Sequence, residues 1–157
     1  LDLRHVNQGN ELLGIKLADL FIADGQEILA TCGPDEKILS KILSADGNEL
    51  PGFPMSVIVD KTTAGPGETC AAALKISKRA TVVGDVTFGK SVQLENRYLS
   101  KDFKVKMVTG WYCDLDGTPI HYEGLNPEVP IQLPTRDESD PYMVIAKTQL
   151  QESTVDV

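Results

Sequence analysis

Cysteine is scarce in this chain of 157 residues, and no short motif pairs it. Cys32, Cys70 and Cys113 stand far apart, and no CxxC spacing offers a zinc ribbon or a thioredoxin-type redox site. An odd, widely spaced set in a chain of this size argues against a disulfide scaffold and predicts buried free thiols. The only histidines, His5 and His121, have no partnering spacing to Cys or Asp, so no metal set is expected. No apolar run approaches the roughly 20 residues that a membrane-spanning helix needs. Basic residues are outnumbered, 15 Lys+Arg against 23 Asp+Glu, and the net charge of −8 argues against nucleic-acid and anionic-lipid partners. The chain opens at Leu1-Asp2-Leu3-Arg4 with no initiator Met and no signal segment, as a mature secreted chain or a piece of a longer one would. Composition therefore gives no location.

What is present suits one mixed α/β domain that buries roughly 68–70% of its unfolded surface. Leu1 to Arg4 alternates as a short strand. Leu13, Leu17, Leu20 and Phe21 form a helical stripe ended by Asp24-Gly25. Glu27 to Cys32 reads as a strand and Gly33-Pro34-Asp35 as a turn. Lys37 to Ala45 fits helix and strand equally, with Asp46-Gly47 as a turn behind it. Pro51-Gly52-Phe53-Pro54 breaks the chain before Val57-Ile58-Val59, a strand covered on both faces.

The segment Gly65-Pro66-Gly67-Glu68 before Ala71-Ala72-Ala73-Leu74 predicts a helix entered from a buried strand. Gly65 takes the N-cap, Pro66 the first position and Glu68 the third, where its charge complements the helix dipole. Thr81 to Gly84 is another buried strand. A loop follows through Lys90, then strands over Ser91 to Tyr98 and Phe103 to Thr109, a turn at Asp116-Gly117 and a break at Asn126-Pro127. A last helix runs from Asp140-Pro141 to Gln151, its entry solvated by Asp137-Glu138-Ser139-Asp140, ahead of a polar tail over 152–157. Early crossovers should be parallel and right-handed, later pairs antiparallel. The predicted core comprises Leu3, Leu17, Leu20, Ile58, Val59, Leu74, Val82 and Val105.

Several blocks, in order and at near-constant spacing, resemble the C-terminal-processing (tail-specific) serine peptidases. They are Leu1-Asp2-Leu3-Arg4, Ala18-Asp19-Leu20-Phe21, Ser44-Ala45-Asp46-Gly47-Asn48, Val82-Val83-Gly84, Thr87-Phe88-Gly89-Lys90, Val92-Gln93 and Gly124-Leu125-Asn126-Pro127. The resemblance implies a ClpP/crotonase-like α/β fold: a mixed sheet with flanking helices and a later antiparallel meander. It implies a core domain over 1–151 that lacks its front and the substrate-recruiting PDZ module, which is expected upstream in the full protein. It also implies a polypeptide segment or protein C-terminus as partner, no cofactor, and a periplasmic, secreted or otherwise extracytoplasmic setting.

In that family a Ser–Lys dyad cuts the peptide bond. Lys90 matches the lysine that acts as general base, a task requiring an uncharged amine. Counted without gaps, the serine falls on Gly65, which has no side chain. The following residue, whose N–H helps to form the oxyanion hole, is Pro66, which has none. Gly9 is the one glycine left in the first loop, where Val6 and Gln8 replace its usual residues. Gln93 resembles the glutamine that orients the lysine, but lies one residue too near Lys90 unless a strand bulge adjusts it. These departures imply a pseudo-peptidase that binds peptide without cleaving it. The competing readings are an active peptidase with a substitute nucleophile among Thr62, Thr63, Thr69 and Cys70, an enzyme altered at Gly65, and other acyl chemistry on the same core.

Overall fold

The computed structural model describes residues 1–45, 50, 52–131 and 140–155. The expected turn at Asp46-Gly47, the break at Pro51 and the run 137–139 lie outside them.

The strand–helix–strand unit predicted around Gly65 is the centre of the molecule. Strand β3 (Ser56–Val59) leads into helix α2 (Pro66–Ile76), which returns to strand β4 (Thr81–Gly84). β3 and β4 pair in parallel, Val57 opposite Val82 and Ile58 opposite Val83, and β4 continues in parallel to the two-residue β7 (Val129–Pro130). On the far edge Leu1 to Leu3 runs beside β3, bonding Leu3 N to Ile58 O (2.9 Å) and Ile58 N to Leu1 O (2.9 Å). The expected first strand is thus an isolated parallel bridge at Asp2.

The second sheet is antiparallel, in the order β2-β1-β6-β5, built from β1 (Glu27–Cys32), β2 (Ile38–Leu43), β5 (Val92–Tyr98) and β6 (Lys104–Cys113). Parallel and antiparallel pairings are therefore segregated into two sheets rather than mixed in one. The segment left open between helix and strand is strand β2. The tight turn at Gly33 to Glu36 settles it, since Gly33 N donates to Lys37 O (3.0 Å) and closes a hairpin.

Helix α2 packs on β3, β4 and β1, and every residue from Pro66 to Leu74 is buried. Its alanines make this possible, because a small side chain lets several elements reach one helix. Helix α1 (Glu11–Asp19) lies along it, Asn10 capping its start through the N–H of Leu12 (2.9 Å). The expected stripe is corrected here. Gly14, Ile15 and Ala18 face the core, whereas Leu13, Leu17 and Leu20 are exposed. A Cβ on Gly14 would lie 2.0 Å from the carbonyl oxygen of Pro66, so only glycine allows this approach. Small contact residues have little hydrophobicity, and periodicity is blind to them. The helix also ends at Asp19, earlier than Asp24-Gly25.

Val105 is exposed as well, since the outer half of the β5–β6 hairpin projects past any layer that could cover it. Leu3, Ile58, Val59, Leu74 and Val82 are buried as expected. Helix α3 (Pro141–Val155) runs beyond Gln151, because Glu, Ser and Thr carry no stop signal, so the expected tail is partly helical.

The cysteine expectation is corrected too. Cys32 and Cys113 form a disulfide, with Cα atoms 6.2 Å apart on one face of the β1–β6 ladder, where Cys32 opposes Trp111. Only Cys70 is a free, buried thiol among the described residues. Sequence separation hid a pairing that strand register creates. Reduction, or Cys32→Ser with Cys113→Ser, should lower stability by about 2–4 kcal/mol in denaturant titration. Thiol counting in denaturant should find one reactive cysteine in the oxidised chain; finding three would refute the bond.

Candidate functional site

The chain leaves β3 through a turn built on Asp60. Its buried Oδ1 accepts from Thr62 N (2.9 Å), Thr63 N (2.8 Å) and Thr62 Oγ1 (2.8 Å). Burial would raise this carboxyl, but the hydrogen bonds from Thr62, His5 and Thr63 outweigh it and hold it below its ordinary 3.8. The turn then docks on the first loop: Thr63 Oγ1 donates to Leu3 O (3.0 Å) and Ala64 N to Val6 O (2.9 Å).

At the tip of α2, Gly65 adopts φ 55° and ψ −114°, which L side chains seldom occupy. Sharp strand-to-helix turns present catalytic nucleophiles in α/β-hydrolases. A Cβ there would sit 3.4 Å from Glu11 Oε1 and 3.8 Å from Lys90 O. A side chain would therefore fit, and the obstacle is backbone strain alone.

Glu68 brings the separate pieces together. Its fully buried carboxylate accepts from Gly65 N (3.1 Å), Lys90 N (2.6 Å), Gly89 N (2.5 Å), Thr87 Oγ1 (2.5 Å) and Ser91 Oγ (3.3 Å). Phe88 N adds a bond to Thr63 O (2.9 Å), and Thr87 Oγ1 accepts from Leu125 N (2.8 Å). The loop over 87–91 is thereby sewn to the helix tip, and Lys90 lies beside Gly65 as the resemblance implies. The sequence showed Glu68 as a helix-start residue and gave no sign of this clamp.

Lys90 itself is exposed and lines a cavity of about 380 Å³ with Asn7, Gln8, Thr62, Ala64 and Phe88. Gly9 packs against the ring of Pro66, its Cβ position 3.3 Å from Cγ, above a second, apolar hollow of about 210 Å³. Gln93 lies apart, in a hollow with Glu11 and Tyr112. Burial pushes the Tyr112 phenol above its ordinary value, the charge of Glu11 adds to this, and a hydrogen bond with Gln93 opposes it. A bulge does follow Gln93, yet its extra residue is Thr109 on β6, so the path from Lys90 to Gln93 is no longer.

The possible substitute nucleophiles are occupied. Cys70 is buried, which pushes its thiol up to about 12, far from a reactive thiolate. Thr69 Oγ1 is buried and donates to Glu11 O (3.0 Å). His5, expected to have no acidic partner, lies 3.0 Å from Asp60 Oδ2 and 3.0 Å from Thr62 Oγ1. Both contacts use Nδ1, so while that nitrogen donates to Asp60 it cannot take a proton from Thr62, and no triad results. Among the described residues no group of three or more His, Cys, Asp or Glu is placed to hold a metal, and no helix is long and apolar enough to cross a membrane.

A parallel β-α-β unit with this polar clamp at its helix tip, beside an antiparallel sheet, defines a mixed α/β core, and sequence comparison assigns its family. The pattern of peptidase family S41 matches residues 1–131, and the chain belongs to that family. A chloroplastic C-terminal processing peptidase of Tetradesmus obliquus is 33% identical over 139 residues, covering 86% of this chain and 29% of the relative. The carboxy-terminal processing protease CtpA of Bacillus subtilis is 31% identical over 149 residues, covering 94% and 31%. The solved photosystem II D1 C-terminal processing protease superposes with a TM-score of 0.74 at 29% identity, over 84% of this chain and 34% of that one. A lipoprotein from Streptococcus agalactiae shares the fold, with a TM-score of 0.71 at 16% identity. This chain spans about a third of the length of the curated relatives it matches.

Glu68→Gln replaces one acceptor oxygen by a donor amide facing N–H groups. It should destabilise by about 1–3 kcal/mol and accelerate amide exchange at Gly89 and Lys90 before other sites; unchanged exchange there would show the clamp to be dispensable. Asp60 has a lowered folded pKa, so its contribution is complete above its ordinary 3.8 and is lost as pH falls through the lower folded value. Asp60→Asn should flatten that acid limb of the stability profile, read by denaturant melts from pH 5 downward.

Proposed function

We propose that this domain is a pseudo-peptidase: a C-terminal-processing peptidase core whose Lys90 cleft holds a polypeptide segment or protein C-terminus without cutting it. The observation that carries the reading is the backbone at Gly65, at the helix tip with a positive φ and clamped beside the Lys90 main chain, with no side chain to attack. Lys90 then stands at the general-base position with no hydroxyl proton to take. Pro66 withholds the N–H that would stabilise the oxyanion, a loss worth about 10²–10³ in rate by itself.

The cleft contributes binding. The hollow around Lys90, Asn7 and Gln8 has room for an extended main chain, and the apolar hollow by Gly9 and Pro66 for a side chain. Gln93 orients Lys90 only through intervening groups in this reading, since it lines the hollow with Glu11 and Tyr112 rather than the one with Lys90. The buried Cys32–Cys113 disulfide suits an extracytoplasmic setting. The length of the relatives beyond the matched segment leaves room for the PDZ module that the resemblance implies.

Four proteins test this against an unfolded substrate: the natural chain, Gly65→Ser, Pro66→Ala and the double variant. The natural chain and both single variants should be nearly silent. The double variant regains hydroxyl and N–H together and should exceed either single change by far more than additivity. Gly65→Ser should lower stability by about 1–3 kcal/mol, because serine must adopt the strained backbone. Robust cleavage by the natural chain, abolished by Lys90→Ala, would overturn the proposal.

A further inference from the structure

The loop residue Gly89 bonds in two directions. Its N–H is held by Glu68, and its carbonyl accepts from Tyr122 N (2.9 Å) and lies 2.9 Å from His121 Nδ1. Because a carbonyl only accepts, Nδ1 carries the hydrogen. Behind this junction lies a cavity of about 320 Å³ lined by Glu36, Trp111, Pro119, His121, Tyr122 and Glu123. It shares no lining residue with the hollow around Lys90.

Its chemistry is specific. The Trp111 and His121 rings are stacked, with centroids 6.4 Å apart and planes 26° from parallel, and Tyr122 follows His121 at 3.8 Å. Trp111 Nε1 is buried without an acceptor among the described residues, so the tryptophan offers the cavity carbon surface rather than a donor. Tyr122 is 84% exposed, an aromatic ring held in water at φ 72°, a backbone that bulky residues rarely adopt. The carboxylates of Glu36 and Glu123 are exposed and make neither ion pair nor hydrogen bond among the described residues.

Aromatic faces and unpaired carboxylates around one cavity attract an organic cation and repel an anion. A planar cation that stacks on rings while donating several N–H bonds to carboxylates is a guanidinium; a compact, strongly hydrated ammonium uses the stacked rings less well. We propose that Glu36, Trp111, His121, Tyr122 and Glu123 form a binding site for an arginine side chain of a polypeptide. That the arginine belongs to a polypeptide rests on the reading of the Lys90 cleft; that the site takes a guanidinium does not.

The test uses the only tryptophan of the chain, Trp111, as its reporter. Titration with N-acetyl-argininamide, followed by intrinsic fluorescence and by calorimetry, reads binding with no cleavage, so it stands apart from the fate of the peptidase reading. A saturable response is expected, at least tenfold weaker for the neutral N-acetyl-citrullinamide. Glu36→Gln with Glu123→Gln should weaken argininamide about tenfold, and Tyr122→Asn, which tolerates the left-handed backbone, should do likewise. Circular dichroism checks that these exposed substitutions leave the fold intact. Absence of binding by both methods, equal binding of the citrulline compound, or undiminished affinity in the double glutamine variant would overturn the site. A short peptide with an internal arginine that binds no better than argininamide would confine the site to the guanidinium and remove the polypeptide part.

Discussion

A single buried carboxylate holds the site together. Glu68 could not be buried as an anion without several donors, since an unpaired charge in the interior is very costly. Its donors come from the helix tip and from a loop about twenty residues further along the chain. Folding of the helix into the core therefore compels the loop to dock, and the docked loop supplies what the carboxylate needs. The third helical position adds to this, because the charge sits at the positive end of the helix dipole. Every donor comes from the main chain or from a hydroxyl, so the arrangement owes nothing to any residue that would attack a substrate.

Under the proposed reading, this division between scaffold and chemistry explains how a catalytic position can change while its geometry persists. The backbone at Gly65 is fixed by the Asp60 turn before it, by Pro66 after it and by Glu68 beside it. Space for a side chain remains, bounded by Glu11 and the Lys90 carbonyl. Glycine relieves the strain that any other residue would carry there. Under the proposed reading, loss of the nucleophile thus relaxes the helix tip and leaves the cleft standing.

Gly89 joins this centre to the antiparallel sheet. Its N–H belongs to the Glu68 clamp, and its carbonyl to the His121–Tyr122 segment that frames the aromatic cavity. The disulfide fixes β1 to β6 next to Trp111, so the strand that carries the tryptophan is anchored to the core. The two candidate binding surfaces consequently meet at one residue, Gly89.

The parallel β-α-β unit and its helix start were legible in the sequence, because β-branched runs, an alanine-rich helix and Gly-Pro at its entry are local signals. So were Lys90 and Gly65 as a pair, through blocks whose order and spacing match a family. The helix stripe was not, since α1 approaches α2 through Gly14 and Ala18, which hydrophobic periodicity does not register. Nor was the covering of Val105, which depends on whether another layer reaches the end of a hairpin. Tertiary structure alone decided the Cys32–Cys113 bond, the meeting of His5 with Asp60 and the gathering of donors on Glu68. Each joins residues far apart along the chain, and only strand register and the docking of whole elements bring such residues within bonding distance.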